Sequence, residues 1–196
     1  MSYKRLDIRK ITMIGMLSAI SFILMYMQFS ISFVPEYIKM DISDLPALVG
    51  SFSLGPVSGV FICLIKNLLH LMVTKSGGIG ELSNLILGIC FVVPAGFIYK
   101  KKKNRKWAFI GAVIGAVAMA AASILSNYFI VYPFYSMLMP METIIKSYQI
   151  LYPKIDNLWE ALIFINMPFT FVKGMLSVGI TFLIYKHISP VIKGQH

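Results

Sequence analysis

Long hydrophobic runs alternate with short polar segments along almost the whole chain. The runs cover about residues 11–34, 45–54, 57–74, 81–99, 107–132 and 164–187. A helix needs about 20 apolar residues to cross roughly 30 Å of hydrocarbon, and only the run at 45–54 is too short. Because Gly55 and Pro56 follow it, we expect a short helix, a tight turn and a second helix. The pattern predicts an all-α integral membrane protein with six transmembrane helices.

Composition supports a lipid environment for this fold. Hydrophobic residues make up 58% of the 196 residues and charged residues only 13%, and the mean hydropathy of +0.78 exceeds that of soluble domains. We therefore expect one transmembrane domain over 1–196 and no soluble domain. The first run is longer than the apolar part of a secretory signal peptide and lacks a small-residue cleavage site, so we expect it to be retained.

The positive charges predict the orientation in the membrane. Twelve of the 18 lysine and arginine residues lie in 1–10, 100–106 and 186–196. With six crossings and a cytoplasmic N-terminus, all three segments face the cytoplasm, as the positive-inside rule requires. Merging 45–74 into one crossing would place 100–106 outside. We therefore predict a multi-pass protein of the cell membrane with both termini cytoplasmic, and we interpret the net charge of +10 as a topology signal rather than a nucleic-acid surface.

Lys173 lies deep within the last apolar run, where a charged side chain is costly in lipid. It therefore predicts a functional site, although a lysine that snorkels or pairs with a buried carboxylate is the structural alternative. Other polar residues are expected in the same outer half: Lys66, Asn67, His70, Glu81, Asn84, Asn127, Asn166 and Thr170. They indicate a polar cavity open to the outside. The alternative is that they satisfy one another, with Lys66 or Lys173 neutralised by Glu81.

The segment between the first two apolar runs predicts the N-cap of the second helix and a loop that covers a ligand. Asp44 is the expected N-cap of the next helix, with Pro46 just inside it. Tyr37, Met40 and Ile42 offer apolar side chains that can close over a flat hydrophobic ligand.

Proline and aromatic residues add two further expectations. Pro168 predicts a kink that widens the cavity, or alternatively the start of the last helix. Aromatic residues near the ends of the runs are typical of interfacial belts: Trp107, Trp159, Tyr128, Tyr132 and Tyr135.

Catalytic and metal-binding patterns are not found in the sequence. Cys63 and Cys90 lack a Cys-x-x-Cys spacing, and His70, His187 and His196 do not form a His-Glu-x-x-His pattern. We therefore expect neither an enzyme nor a bound metal or cofactor. An intramembrane enzyme or scaffold using Glu81, His70 and Lys66 remains the least favoured alternative.

Several stretches carry a resemblance to a known family. They are Lys39-Met-Asp-Ile-Ser-Asp-Leu-Pro-Ala-Leu, Leu54-Gly-Pro-Val-Ser-Gly-Val, Lys66-Asn-Leu-Leu-His-Leu, Gly78-Ile-Gly-Glu-Leu-Ser-Asn-Leu, Ser126-Asn-Tyr-Phe and Pro168-Phe-Thr-Phe-Val-Lys-Gly. With them the chain resembles the riboflavin-binding, RibU-type branch of the S components of energy-coupling factor (ECF) transporters, over nearly its whole length.

The resemblance implies a substrate-capture subunit of a vitamin importer. Its partners would be riboflavin as the transported ligand, a transmembrane coupling subunit and two cytoplasmic ATPases, and a different vitamin such as thiamine or pantothenate is the alternative substrate. The resemblance assigns substrate binding to Asn127 and Lys173, and to Thr170 where the family has an asparagine. It places Glu81, Asn84 and the loop with Met40 and Asp44 near the site, and it implies docking through Gly15-x-x-x-Ala19 on the first helix.

Overall fold

The structure is a computed structural model that describes residues 3–74, 76–137 and 140–193, with side chains over 8–74, 76–137 and 140–185. Expectations that involve Lys75 or the last three residues lie outside the described residues. The α-helices, in chain order, are α1 (Tyr3–Tyr26), α2 (Asp44–Leu54), α3 (Pro56–His70), α4 (Ile79–Lys101), α5 (Arg105–Ser126), α6 (Tyr132–Tyr135), α7 (Met141–Gln149), α8 (Leu158–Ala161) and α9 (Met167–Lys193). A 3-10 turn (Leu71–Val73) follows α3. Two short strands, β1 (Phe29–Ser30) and β2 (Lys39–Met40), pair antiparallel.

Five helical stretches within the described residues are long and apolar enough to cross a membrane. They are Ile8–Tyr26, Pro56–Val73, Ile79–Lys101, Arg105–Tyr135 and Leu158–Tyr185. The fourth and fifth are continuous because wide π-helical turns, Asn127–Val131 and Leu162–Asn166, join α5 to α6 and α8 to α9. In each turn the backbone N–H that follows bonds to the carbonyl five residues back, as from Met167 to Leu162.

Two helix ends differ from those expected. The first helix stops at Tyr26 instead of continuing to 34, because residues 29–40 pair as a hairpin in which Lys39 Nζ donates to Ser30 Oγ at 2.5 Å. The last α-helix, α9, begins at Met167 beside Pro168, but the chain is already helical from Leu158, so Pro168 lies inside one continuous helical stretch. Pro168 lacks a backbone N–H and lies two residues after the end of the π-helical turn, where the helical bonding is already altered.

Helices α2 and α3 form the short pair predicted around Gly55, whose φ of +101° closes the turn between them. Asp44, however, does not cap α2. It is the first residue of the helix, Ser43 occupies the cap position, and no side chain caps the helix. The Asp44 carboxylate is instead engaged by Lys66 of α3.

Close helix packing forms the central core. A Cβ on Gly115 of α5 would overlap the carbonyl oxygen of Phe91 in α4, so the two backbones nearly touch. Around this contact α2, α3 and α9 contribute fully buried side chains such as Leu48, Ile62 and Val178. A second cluster packs the hairpin loop, α7 and the ends of the long helices together: Val34, Tyr132, Ile144, Tyr148 and Leu162.

Candidate functional site

Two adjoining cavities lie beneath the loop of residues 27–43, with volumes of about 140 Å³ and about 270 Å³. They share the lining residues Tyr37, Lys39, Gly80, Asn84, Tyr135 and Lys173. Because the same side chains border both, we treat them as one space and call it the outer cavity. Its size is of the order found for small-molecule sites, roughly 300–1,000 Å³.

The outer cavity and the basic segment 100–106 lie at opposite ends of the molecule. Gly80, in the first turn of α4, lines the cavity, and the same helix ends at Lys101. At 1.5 Å per residue, α4 separates the two by about 30 Å, close to the hydrocarbon thickness of a bilayer.

Lys173 both lines the cavity and forms a buried ion pair. Its Nζ donates to Oδ2 of Asp41 at 2.7 Å, and the two side chains are 9% and 3% exposed. Burial alone would raise the pKa of Asp41, but the charges of Lys173 and Lys66 and a hydrogen bond from Lys173 lower it to about 2. Lys173 therefore pairs with a buried carboxylate, and it also lines the cavity.

A second buried pair lies beside the first. Lys66 Nζ donates to Asp44 Oδ1 at 2.5 Å and to Ser43 Oγ at 2.8 Å, and both charged side chains are fully buried. Ser43 also donates its hydroxyl to Asp41 Oδ1, which joins the two pairs. The loop before α2 is thus held to α3 and α9 by charge.

Glu81 does not neutralise either lysine. Its Oε1 lies 2.7 Å from Nδ1 of His70, and its Oε2 accepts from Thr74 at 3.0 Å and Ser76 at 2.9 Å. The alternative in which Glu81 pairs with Lys66 or Lys173 is therefore wrong, because Asp44 at the start of α2 pairs with Lys66 and Asp41 of the loop pairs with Lys173. Glu81 instead holds the turn before α4 against α3, at the edge of the cavity.

Asn166 is fixed in the cavity wall by two tyrosines. Its Oδ1 accepts from the Tyr148 hydroxyl at 2.7 Å and its Nδ2 donates to the Tyr132 oxygen at 3.1 Å, while the two hydroxyls contact each other. Tyr132 is only 1% exposed, so its assignment to an interfacial belt is wrong. Tyr37 packs edge-on against Tyr135 and Tyr148 and thereby closes the loop over these groups.

Three polar side chains of the lining retain hydrogen-bonding capacity toward the cavity. Asn84 Oδ1 is buried without a partner among the described residues. Thr170 Oγ1 donates to the Asn166 carbonyl at 2.8 Å, so its lone pairs are available to a donor. Asn127 lies at the start of the first π-helical turn and is partly buried. Such turns occur frequently at functional sites.

The structure brings together six of the residues predicted for substrate binding: Glu81, Asn84, Asn127, Asn166, Thr170 and Lys173. Met40, Asp44 and Asn67 lie outside the lining of the outer cavity. Met40 is buried in β2, Asp44 pairs with Lys66, and Asn67 donates to the Cys63 carbonyl of its own helix.

Sequence reasoning missed part of the site. Lys39, Ser83, Tyr135 and Phe169 also line the cavity, and Asp41 holds Lys173. The two aspartates in Asp41-Ile-Ser-Asp44 were a usable signal, since two lysines at membrane depth require partners.

An outer cavity with convergent polar groups, on a bundle of apolar helices, defines a membrane protein that binds a small molecule. The profile of the family described as "ECF transporter, substrate-specific component" matches residues 9–185, and the chain belongs to that family. It is accordingly a multi-pass protein of the cell membrane.

Relatives and a solved structure agree with this assignment. The chain is 30% identical to the riboflavin transporter RibU of Staphylococcus aureus (strain TCH60), over 94% of this chain and 93% of the relative. It is 28% identical to the riboflavin transporter FmnP of Bacillus subtilis (strain 168), over 97% of each. A structure described as "Structure and mechanism of the S component of a bacterial ECF transporter" aligns with a TM-score of 0.73 and 31% identity, covering 95% of this chain and 99% of that one.

Proposed function

We propose that this protein captures riboflavin in the outer cavity and delivers it to an ATPase-driven coupling module. The observation that carries the proposal is the convergence of Asn84, Asn127, Thr170 and Lys173 on one space walled by aromatic rings. Riboflavin is a flat aromatic molecule with a polyol tail, and sites of this composition suit such ligands. The names of the relatives support this vitamin over thiamine or pantothenate.

The lining suggests a role for each polar side chain. Asn127 would hydrogen-bond the polar edge of the ring system, and Lys173 would donate to ring or ribityl oxygens. Thr170 would accept from a ligand N–H or O–H, because its own proton is already given to Asn166. Asn84 would accept a hydrogen bond from a ribityl hydroxyl through its unpartnered Oδ1. Riboflavin is then cargo rather than a cofactor, and the protein itself needs no covalent chemistry.

We further propose six membrane helices, α1 to α5 and α9, within a single domain and with both termini cytoplasmic. The cluster of lysines and arginine at 100–106 supports this orientation. Helix α2 has 11 residues and spans only about 16 Å, about half of the membrane. The loop of residues 27–43 would fill the outer half, where its irregular backbone is tolerated because protein surrounds it.

Docking on the transmembrane coupling subunit would use the exposed face of α1. Gly15 and Ala19 are exposed there, and nothing lies within 4 Å of a Cβ built on Gly15. Small residues at this spacing permit close approach of another helix. Gly15→Leu should therefore leave riboflavin binding unchanged and lower riboflavin uptake by the assembled transporter with its two ATPases.

A titration of purified protein with riboflavin tests the function. We expect fluorescence quenching that saturates at a stoichiometric ratio, without competition by thiamine or pantothenate. Asn127→Ala and Lys173→Met should weaken binding most. Thr170→Val should weaken it about 2- to 10-fold, the value of one hydrogen bond, whereas Thr12→Val, the same change on the exposed surface of α1, should have no effect. Protein that neither purifies yellow nor quenches riboflavin would refute the proposal.

A further inference from the structure

A second hollow region lies at the opposite end of the molecule, where α5 begins and α9 nears its end. It has two parts that meet at Arg105 and Phe182. One part, of about 500 Å³, contains Lys103, Asn104 and Thr181, and we call it the basic cavity. The other, of about 480 Å³, has an apolar floor of Phe109, Met175, Val178, Gly179 and Phe182, and we call it the apolar groove.

The charge at this end is unbalanced. Segment 100–106 holds six lysine and arginine residues and no acidic residue. The salt bridges found among the described side chains all lie around the outer cavity and involve none of these six. Lys103, Arg105 and Lys106, which line the hollow region, are exposed. An anionic group at this position would therefore meet cations with no competing carboxylate in the segment.

A buried polar atom also lacks a partner here. Thr181 is 1% exposed and lines the basic cavity, yet its Oγ1 has no hydrogen-bond partner among the described residues. Burying a hydroxyl without a hydrogen bond is unfavourable. A polar ligand group in the basic cavity would provide the missing partner.

The apolar groove has the dimensions and position of a chain-binding surface. Gly179 is exposed, and a Cβ built on it meets nothing within 4 Å, so the helix leaves open space beside its backbone. Phe109 and Phe182 of its floor pack edge to face. The groove lies within the membrane-spanning parts of α5 and α9, one turn from the basic residues. A soluble anion would leave this apolar surface unoccupied.

From these observations we infer that an anionic phospholipid of the inner leaflet binds here, with its phosphate among Lys103, Arg105 and Lys106 and an acyl chain in the apolar groove. The inference rests on the proposed orientation, which places 100–106 on the cytoplasmic side. Basic pockets between transmembrane helices on that side are suited to anionic head groups. Trp107, whose ring lies 4.5 Å beneath Lys102 Nζ, marks the level of the membrane interface.

Native mass spectrometry of protein released from vesicles can test this site. The vesicles contain equal amounts of phosphatidylcholine and phosphatidylglycerol, and we expect wild-type protein to retain phosphatidylglycerol preferentially. Combining Arg105→Gln with Lys106→Gln should weaken that retention about 30-fold, about fivefold for each cation. The matched control combines Lys100→Gln with Lys101→Gln, which removes the same charge outside the hollow region and should have little effect.

A second pair of variants tests the apolar groove without altering charge. Gly179→Leu fills the open space and should reduce retention of phosphatidylglycerol at least fivefold. Ala121→Leu, on the exposed surface of α5, should not. Equal retention of the two lipids by wild-type protein, or unchanged retention in both Gly179→Leu and the Arg105/Lys106 variant, would overturn the inference. It is also wrong if the charge variant keeps its phosphatidylglycerol but no longer assembles with the coupling subunit, since the surface would then be a protein interface.

Riboflavin titration of the same preparations separates this inference from the proposed function. If a variant loses its preference for phosphatidylglycerol but still binds riboflavin, the substitution has affected the inner site alone. Absence of riboflavin binding with intact lipid preference refutes only the proposed cargo. Labelling of a Lys101→Cys variant by a membrane-impermeant thiol reagent tests the orientation, because labelling from the outside would contradict both the topology and the inner-leaflet site.

Discussion

Removing the Asp41 carboxylate should destabilise the protein by about 3 kcal/mol. Although burial acts in the opposite direction, the charges of Lys173 and Lys66 hold the pKa of the Asp41 carboxyl below its ordinary value, so their attraction outweighs the cost of burial. Removing one partner of a buried pair typically costs about 3–5 kcal/mol. Because Lys173 borders a cavity, we expect Asp41→Asn to fall at the lower end of that range.

A double-mutant cycle measures the interaction itself. Asp41→Asn, Lys173→Met and their combination are compared by unfolding in mixed micelles of detergent and sodium dodecyl sulfate, followed by tryptophan fluorescence. The decrease in the free energy of unfolding of the double variant should be at least about 2 kcal/mol smaller than the sum of the decreases in the two single variants. The reason is that the double variant leaves no unpaired charge. Lys154→Met, at an exposed position, serves as control and should change stability by less than about 0.5 kcal/mol. Strictly additive losses would show that the pair contributes nothing and would refute this reasoning.

Three further outcomes are expected. Tyr37→Ala should speed riboflavin dissociation about tenfold in stopped-flow fluorescence, because two aromatic edge contacts worth about 0.5–1.5 kcal/mol each are lost, and an unchanged rate would show that the loop does not retain the ligand. Gly115→Ala should lower the free energy of unfolding by about 1–3 kcal/mol because its methyl overlaps the Phe91 carbonyl, whereas Gly15→Ala, into open space, should not; equal effects would contradict the close packing. The folded-state pKa of Asp41 lies below its ordinary value, so its stabilisation is complete above about pH 4 and is lost as pH falls through about 2. Unfolding measured from about pH 5 to 2 should show a shallower loss in Asp41→Asn, and parallel curves would contradict the assignment.

Apolar run length was sufficient to predict helical membrane segments, but it did not locate every end. The first run continues apolar to residue 34, yet the chain leaves the helix at Tyr26. Hydropathy alone cannot distinguish an apolar helix from an apolar β-hairpin. The pairing of Phe29 with Met40 and of Ser30 with Lys39 depends on contacts between strands that no local pattern encodes.

Part of the lining of the outer cavity could be predicted because intramembrane polar residues are energetically costly and therefore informative. Asn84, Thr170 and Lys173 follow from that rule alone. The same rule could not separate residues facing the cavity from residues that satisfy one another, since Asn67 and Asp44 are also polar and buried. Tyr132 was misassigned because a tyrosine near a helix end has the same sequence signature in a lipid belt and in a buried hydrogen-bond network.

The two π-helical turns change which side of each long helical stretch faces the outer cavity. An α-helix advances by about 100° per residue, so one additional residue within a turn rotates everything beyond it by about that angle. Asn127 opens one such turn and Asn166 closes the other. Helix α6 is thereby rotated relative to α5, and α8 relative to α9. One continuous helical stretch can then keep a single face toward lipid along α5 or α9 while α6 or α8 beyond the wide turn presents a different face, and shortening either turn by one residue would rotate α6 or α8 by about 100° relative to the helix that it continues.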